Sequence, residues 1–140
     1  MEEKLGFEVM LPEPYEQALE TVTAALKTEG FGVLTKIDVR ATMKEKLEAD
    51  FRPYAILGAC NPPLAHRALS HAPEVGLLLP CNVTVEQVEP GKTLVRIANP
   101  NLMARWMNRA GDAEMEAVAA EAGEKIRRVA ALLEGQSVQG

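Results

Sequence analysis

Apolar and polar positions alternate over Leu5–Leu11, where Gly6, Glu8 and Met10 separate Leu5, Phe7, Val9 and Leu11. A period of two predicts a strand, and Pro12-Glu13-Pro14 stops it. From Tyr15 the period changes: Ala18, Leu19, Val22, Ala25 and Leu26 fall on one helical face, and Gly30 follows as a C-terminal glycine. Phe31, Val33, Thr35, Ile37 and Val39 then alternate again as a second strand, and Thr42-x-x-Glu45 has the form of a capping box for a short helix over Met43–Ala49. Tyr54–Cys60 reads as the next strand, with Gly58 marking a bulge or a close backbone approach. Asn61-Pro62 resembles an N-cap followed by a first-turn proline, and Leu64, Ala65, Ala68 and Leu69 give that helix one apolar face until about His71, before Pro73.

Pro73–Gly76 is expected to turn, and Leu77–Val88 to form a long strand interrupted at Pro80. A proline cannot donate to a ladder, so an edge position or a bulge is predicted there. Pro90-Gly91 suits the centre of a type II turn, joining this strand to Thr93–Ala98 as an antiparallel hairpin. Leu102, Met103, Trp106 and Met107 share one face of a helical turn ending near Gly111. Asp112 caps a final helix over about 112–134, with Met115, Val118, Ala119, Ala122, Ile126, Val129 and Leu133 turned inward, and Gln136–Gly140 is expected to fray. The pattern predicts one α+β domain over residues 1–140: an antiparallel sheet with helices packed on one face and a long C-terminal helix.

Composition narrows the function. A net charge of −5 argues against nucleic acid as a partner. No apolar run reaches the roughly 18 residues of a membrane span, and Met1-Glu2-Glu3-Lys4 does not resemble a signal peptide. A cytoplasmic, non-membrane protein is expected, in which Cys60 and Cys81 stay reduced. Their spacing matches no zinc or Cys-x-x-Cys motif.

Five blocks stand in a distinctive order: Glu29-Gly30-Phe31-Gly32-Val33-Leu34, Ile37-Asp38-Val39, Arg52-Pro53-Tyr54, Leu57-Gly58-Ala59-Cys60-Asn61-Pro62 and Leu78-Leu79-Pro80-Cys81-Asn82-Val83. Over about Leu11–Pro100 the chain resembles the prokaryotic family catalogued as domain of unknown function three hundred and two. The resemblance implies a single α+β domain, helices against an antiparallel sheet, and a homodimer. It implies no activity.

The twin Cys-Asn pairs are the candidate chemistry. Cys60 precedes a predicted helix start, but Pro62 and Pro63 remove two N–H donors from that end and disfavour anion binding. Cys81 shares a strand face with Leu77, Leu79, Val83 and Val85, and Asn82 the opposite face with Thr84 and Glu86. A register shift at Pro80 would turn Cys81 outward, and both cysteines would then face one crevice. Two readings stay open: a binding site lined by Cys60, Asn61, Cys81 and Asn82, or a soft-metal or redox pair of thiols with His66 nearby. Two cysteines and one histidine fall short of a closed four-ligand site. His66 and His71, five apart, do not share a helix face. One is expected to be exposed and the other to pair with a backbone carbonyl. Met103, Trp106 and Met107 offer a partner interface or ordinary core packing. No serine elbow, carboxylate pair or glycine-rich phosphate loop points to catalysis. The expected function is a non-enzymatic homodimeric module binding a small ligand or partner, without a cofactor. A thiol-based metal or redox protein is the alternative.

Overall fold

The structure is a computed structural model describing residues 4–107 and 111–139, with side chains to residue 135. In chain order the elements are β1 (Gly6–Leu11), α1 (Tyr15–Lys27), β2 (Gly32–Asp38), α2 (Val39–Leu47), β3 (Tyr54–Cys60) and α3 (Pro62–His71). A 3-10 turn over Pro73–Leu78 leads to β4 (Cys81–Glu89), β5 (Lys92–Ala98), α4 (Asn101–Trp106) and α5 (Ala113–Gln139). The strands form one antiparallel sheet in the order β1-β5-β4-β3-β2, with β4 at its centre.

Strand alternation sorts the sheet into two faces. The inner face carries Val9, Leu11, Leu57, Val83, Val85 and Ile97 among others, buried against Ala18, Val22 and Leu26 of α1 and Ile126, Val129 and Leu133 of α5. Every inward residue predicted for α5 is buried. At 27 residues α5 is about 40 Å long, well beyond a strand of six to nine residues at about 3.4 Å each. Its first half overhangs the sheet. There Met115, Val118 and Ala122 meet Leu64 and Ala68 of α3 and Val75 of the 3-10 turn in a second core. The two cores share α5 as a spine, and the site lies between them.

Among the described residues no buried cluster covers the outer face: the strand residues in the buried clusters are all from the inner face. Glu86 is the buried charge on this face, at 5% exposure, and it accepts hydrogen bonds from Arg52 and from Arg96 Nη1 at 2.6 Å. Burial pushes its carboxyl up, but the bonds from Arg96 and Arg52 outweigh that and hold it below its ordinary value.

Several local expectations are corrected. The short helix starts at Val39, four residues before the predicted start at Met43: Asp38 is the N-cap, accepting from Ala41 N at 2.9 Å, while Thr42 Oγ1 donates to Asp38 O. The carboxylate at the end of β2 reaches free amide donors first. Pro80 lies outside the strand, just before Cys81, so its missing N–H interrupts no ladder and β4 needs neither an edge position nor a bulge there. Leu77 belongs to the 3-10 turn and not to a strand, and the Leu79–Pro80 peptide is cis. β1 and β2 are the edge strands of the sheet, and β4 lies at its centre. The final helix continues to Gln139, past the predicted fraying point at Gln136. The predicted course of the preceding helix to near Gly111 crosses residues 108–110, outside the described residues.

Gly58 marks a close approach. The ladder of β2 slips between Val33 and Thr35, and a Cβ on Gly58 would collide with Thr35 Oγ1 and lie 2.7 Å from Pro80 Cγ. Gly58→Ala is expected to cost about 1–3 kcal/mol, as overpacking does, measured as a lower urea midpoint at unchanged slope.

Candidate functional site

The structure brings Cys60 and Cys81 to one cavity of about 300 Å³ between the end of the sheet and α3, α4 and α5. The β3–β4 ladder explains why: Ala59 pairs with Cys81, so Cys60 ends its strand beside the start of β4. No register shift is involved. Cys81 keeps the inner face with Val83 and Val85, and Cys60 reaches the cavity where the sheet runs out. Ala65, Ala68, Met103 and Val118 supply the wall from the helices, and Leu34 of β2 and Leu69 of α3, both exposed, also line it. Apart from the two thiols, Thr35 and Asn61, the lining side chains are apolar, Met103 among them.

Asn61 is committed to structure. Its Oδ1 accepts from Leu64 N at 3.3 Å, capping α3, and its Nδ2 donates to Glu29 O at 3.1 Å, tying α3 to the turn after α1. That turn needs Gly30 at φ +82°, with Asn61 Nδ2 3.0 Å from where a Cβ would be. Pro62 and Pro63 have no N–H, Leu64 N is capped, and Ala65 N bonds Asn61 O at 2.9 Å. The start of α3 therefore presents no spare donors to an anion.

Asn82 does not join the other three. It is exposed and lines a second, smaller cavity of about 190 Å³ against α4. Pro80, Cys81 and Met103 line both cavities and form the partition between them. Of the three residues nominated as an interface, Met103 and Met107 pack against the second core, while Trp106 stands 71% exposed at the smaller cavity. Leu34, Thr35 and Met103 are cavity residues that the sequence reading did not place there. Leu34 carried a signal: it is apolar in the polar phase of an alternating strand.

Both cysteines are free. Burial, and then the neighbouring Cys60, push the Cys81 thiol from its ordinary 9.0 up to about 11. At pH 8 that shift lowers the thiolate fraction about 100-fold, partly offset by the greater nucleophilicity of a more basic thiolate, so Cys81 in the folded protein is expected to react with an aromatic disulfide reagent more slowly than after unfolding, by about tenfold or more. The same shift sets a stability trend. The protonated thiol is favoured by folding, so its contribution is complete below pH 9 and lost as pH rises through about 11. Cys81→Ala is expected to flatten the alkaline limb of a stability–pH curve measured by denaturant titration.

The histidines stay apart from this chemistry. His66 is exposed and lines neither cavity. His71 pairs with a carboxylate where a carbonyl was expected: Nε2 lies 2.8 Å from Asp112 Oδ1, linking the end of α3 to the cap of α5, where the same oxygen accepts from Met115 N. Among the described residues no three His, Cys, Asp or Glu side chains come together as metal ligands. No helix among them is long and apolar enough to cross a membrane.

Comparison with known proteins fits this architecture. No curated protein matches the chain. The crystal structure of an uncharacterized conserved protein DUF302 from Bacillus stearothermophilus is similar at 30% identity and a TM-score of 0.79, covering 96% of this chain and 99% of that one. The family model described as "Domain of unknown function DUF302" matches residues 7–133, more than the stretch of about 11–100 over which the sequence resembles the family, and takes in most of α5. The chain belongs to the DUF302 family, a domain of unknown function.

Proposed function

We propose that this protein is a non-enzymatic binding module for a small apolar ligand, held in the cavity that Cys60 and Cys81 share, and that it works as a cytoplasmic homodimer. The observation that carries the ligand reading is the cavity itself: about 300 Å³ of largely apolar space whose lining includes the exposed Leu34 and Leu69. A dry apolar cavity of about 150 Å³ is enough for benzene, so this one has room for roughly two rings or an aliphatic chain of similar bulk. Its few polar groups suit orientation of a ligand more than catalysis. Asn61 spends both ends of its amide on the backbone. The thiol-based alternative has less support, because Cys81 is held protonated at neutral pH and a third metal ligand is lacking among the described residues.

The test uses medium-chain n-alkanols of increasing length. Saturable calorimetric binding at about one ligand per chain is expected, with roughly micromolar affinity at the best length and a fall once the chain outgrows the cavity. At a hundredfold excess over Kd, binding adds about 2.7 kcal/mol of stability. Affinity that keeps rising with ligand length without a limit, or no saturable heat at any length, would overturn the reading.

A further inference from the structure

The two cavities are neighbours with different chemistry. Pro80, Cys81 and Met103 line both, so the space for the proposed ligand ends where the smaller one, of about 190 Å³, begins. The smaller cavity lies in a fork of the sheet. The β4–β5 ladder starts at Val83–Ile97, which leaves Cys81 and Asn82 paired with β3 but not with β5. Asn82, Ala98 and Asn99 line the gap, together with Leu102 and Trp106 of α4. Of the three shared residues, Pro80 is a closed ring and Cys81 a short side chain at the start of β4. Met103 is the adaptable one, half-buried, unbranched and with three rotatable bonds. A turn of that side chain joins the two spaces.

The uncommitted polar groups gather at the small end. Asn61 in the larger cavity is bound to backbone at both ends of its amide. Asn99 in the smaller one is committed too: Nδ2 donates to Lys4 O at 3.1 Å, and Oδ1 accepts from Asn101 N at 3.1 Å. Asn82 and Trp106 differ. Both are exposed, and among the described residues neither the Asn82 amide nor the Trp106 indole N–H has a hydrogen-bond partner. They offer amide and indole donors and one carbonyl acceptor. Among the described residues no charged side chain lines either cavity, and the Cys81 thiol between them is held protonated at neutral pH. A carboxylate or ammonium would therefore leave water without a counter-charge, which is costly. A primary carboxamide matches instead, because it can donate to the Asn82 carbonyl and accept from its N–H₂ group at once. We infer that the two cavities form one site for a neutral amphipath, with its alkyl tail in the larger space and an uncharged, amide-like head at Asn82 and Trp106 in the smaller. This rests on the ligand half of the proposed function and names the class of molecule. It also gives Trp106 a ligand to face where a protein partner was expected.

The test is calorimetry at pH 8 with four ligands sharing one tail, of the length at which the n-alkanols bind best: alcohol, primary amide, carboxylate and ammonium. One further hydrogen bond is worth roughly tenfold in affinity, so the amide is expected to bind about tenfold tighter than the alcohol. Both ions are expected to bind about tenfold or more weaker than the alcohol. Trp106 is the chain's only tryptophan, so its emission reports on the smaller cavity. A head that covers the indole shields it from water, and a blue shift is expected with the amide. Ala65→Phe, which fills the larger cavity, is expected to weaken the amide as it weakens the alcohol, because the tail lies there. Asn82→Asp keeps the shape, removes the donor and adds a charge, so the ammonium is expected to bind tighter than the amide. Circular dichroism checks that this exposed substitution leaves the fold intact. An amide no tighter than the alcohol, a silent Trp106, or an order of heads that Asn82→Asp leaves unchanged would each overturn the joined site, while the alcohol's binding keeps the larger cavity as a site. Amide binding that moves Trp106 but survives Ala65→Phe would overturn it as well, by confining the ligand to the smaller cavity. Failure of all four ligands to bind would overturn both readings.

Discussion

Replacing Ala65 with phenylalanine is expected to abolish alkanol binding while making the protein slightly more stable. Ala65 is half-buried on α3 and lines the cavity, on the turn after the Asn61 cap. A phenyl ring there occupies roughly the space that a benzene-sized cavity offers, about 150 Å³ of the 300 Å³ present. What is left is too small for a chain that fitted before, so affinity is expected to fall at least 100-fold. The ring also replaces empty volume with carbon contacts, a change that commonly adds about 0.5–2 kcal/mol. The opposite signs are what give the experiment its force. A variant that merely misfolds loses both properties, and one whose cavity is not the binding site keeps its affinity. Isothermal calorimetry and a urea titration on the same sample measure the two. Undiminished binding with raised stability would move the ligand out of this cavity.

The elements that the sequence revealed best are those whose own side chains carry the pattern. β3 and α3 fall at their predicted limits because the alternation up to Cys60 breaks at Asn61-Pro62, a cap and a first-turn proline with one physical outcome. α5 was readable because its heptad-like inward set is long enough to average out local ambiguity. The region from Pro73 to Pro80 was not. Leu77, Leu78 and Leu79 have the composition of a strand, and a short apolar run does not distinguish a strand from a turn that buries only Val75. At α2 two local signals competed, and the one nearer the strand end won, because Asp38 meets the free amides of the first turn before Thr42 does.

The site was legible only in part, for a reason of register. That Cys60 and Cys81 share a cavity follows from the pairing of Ala59 with Cys81, a contact between two strands that no local window contains. Once that register is set, Asn82 must point the other way, because successive residues of a strand face opposite sides. The matched spelling of Cys60-Asn61 and Cys81-Asn82 therefore conceals different roles. One asparagine caps a helix, the other lies on the surface, and the two cysteines line one cavity.

That division makes the most demanding prediction. Asn61→Asp is expected to destabilise the protein at neutral pH by about 3 kcal/mol, or roughly 10 °C in melting temperature. Capping alone predicts no loss, since aspartate and asparagine are equally good N-caps and a carboxylate suits the positive end of α3. The difference lies at the other end of the side chain. Asn61 Nδ2 donates to Glu29 O, and the residue is 8% exposed. An aspartate oxygen in that place has no proton to give, so a buried charge faces a carbonyl with nothing between them. Both groups favour the neutral acid, whose O–H restores the bond to Glu29 O. The folded-state pKa of the new carboxyl is therefore raised above its unfolded value of about 3.9, and the deficit relative to the native chain shrinks as pH falls toward that value. Asn61→Ala removes cap and tether without adding a charge, and its loss of about 1–2 kcal/mol is expected to stay flat with pH. Paired denaturation of the three proteins between pH 4 and 8 separates the cases, with the pH windows taken from the carboxyl reference value. If Asn61→Asp is as stable as the native chain at neutral pH, the bond to Glu29 O is not what Asn61 contributes, and its amide would again be available to a ligand in the cavity.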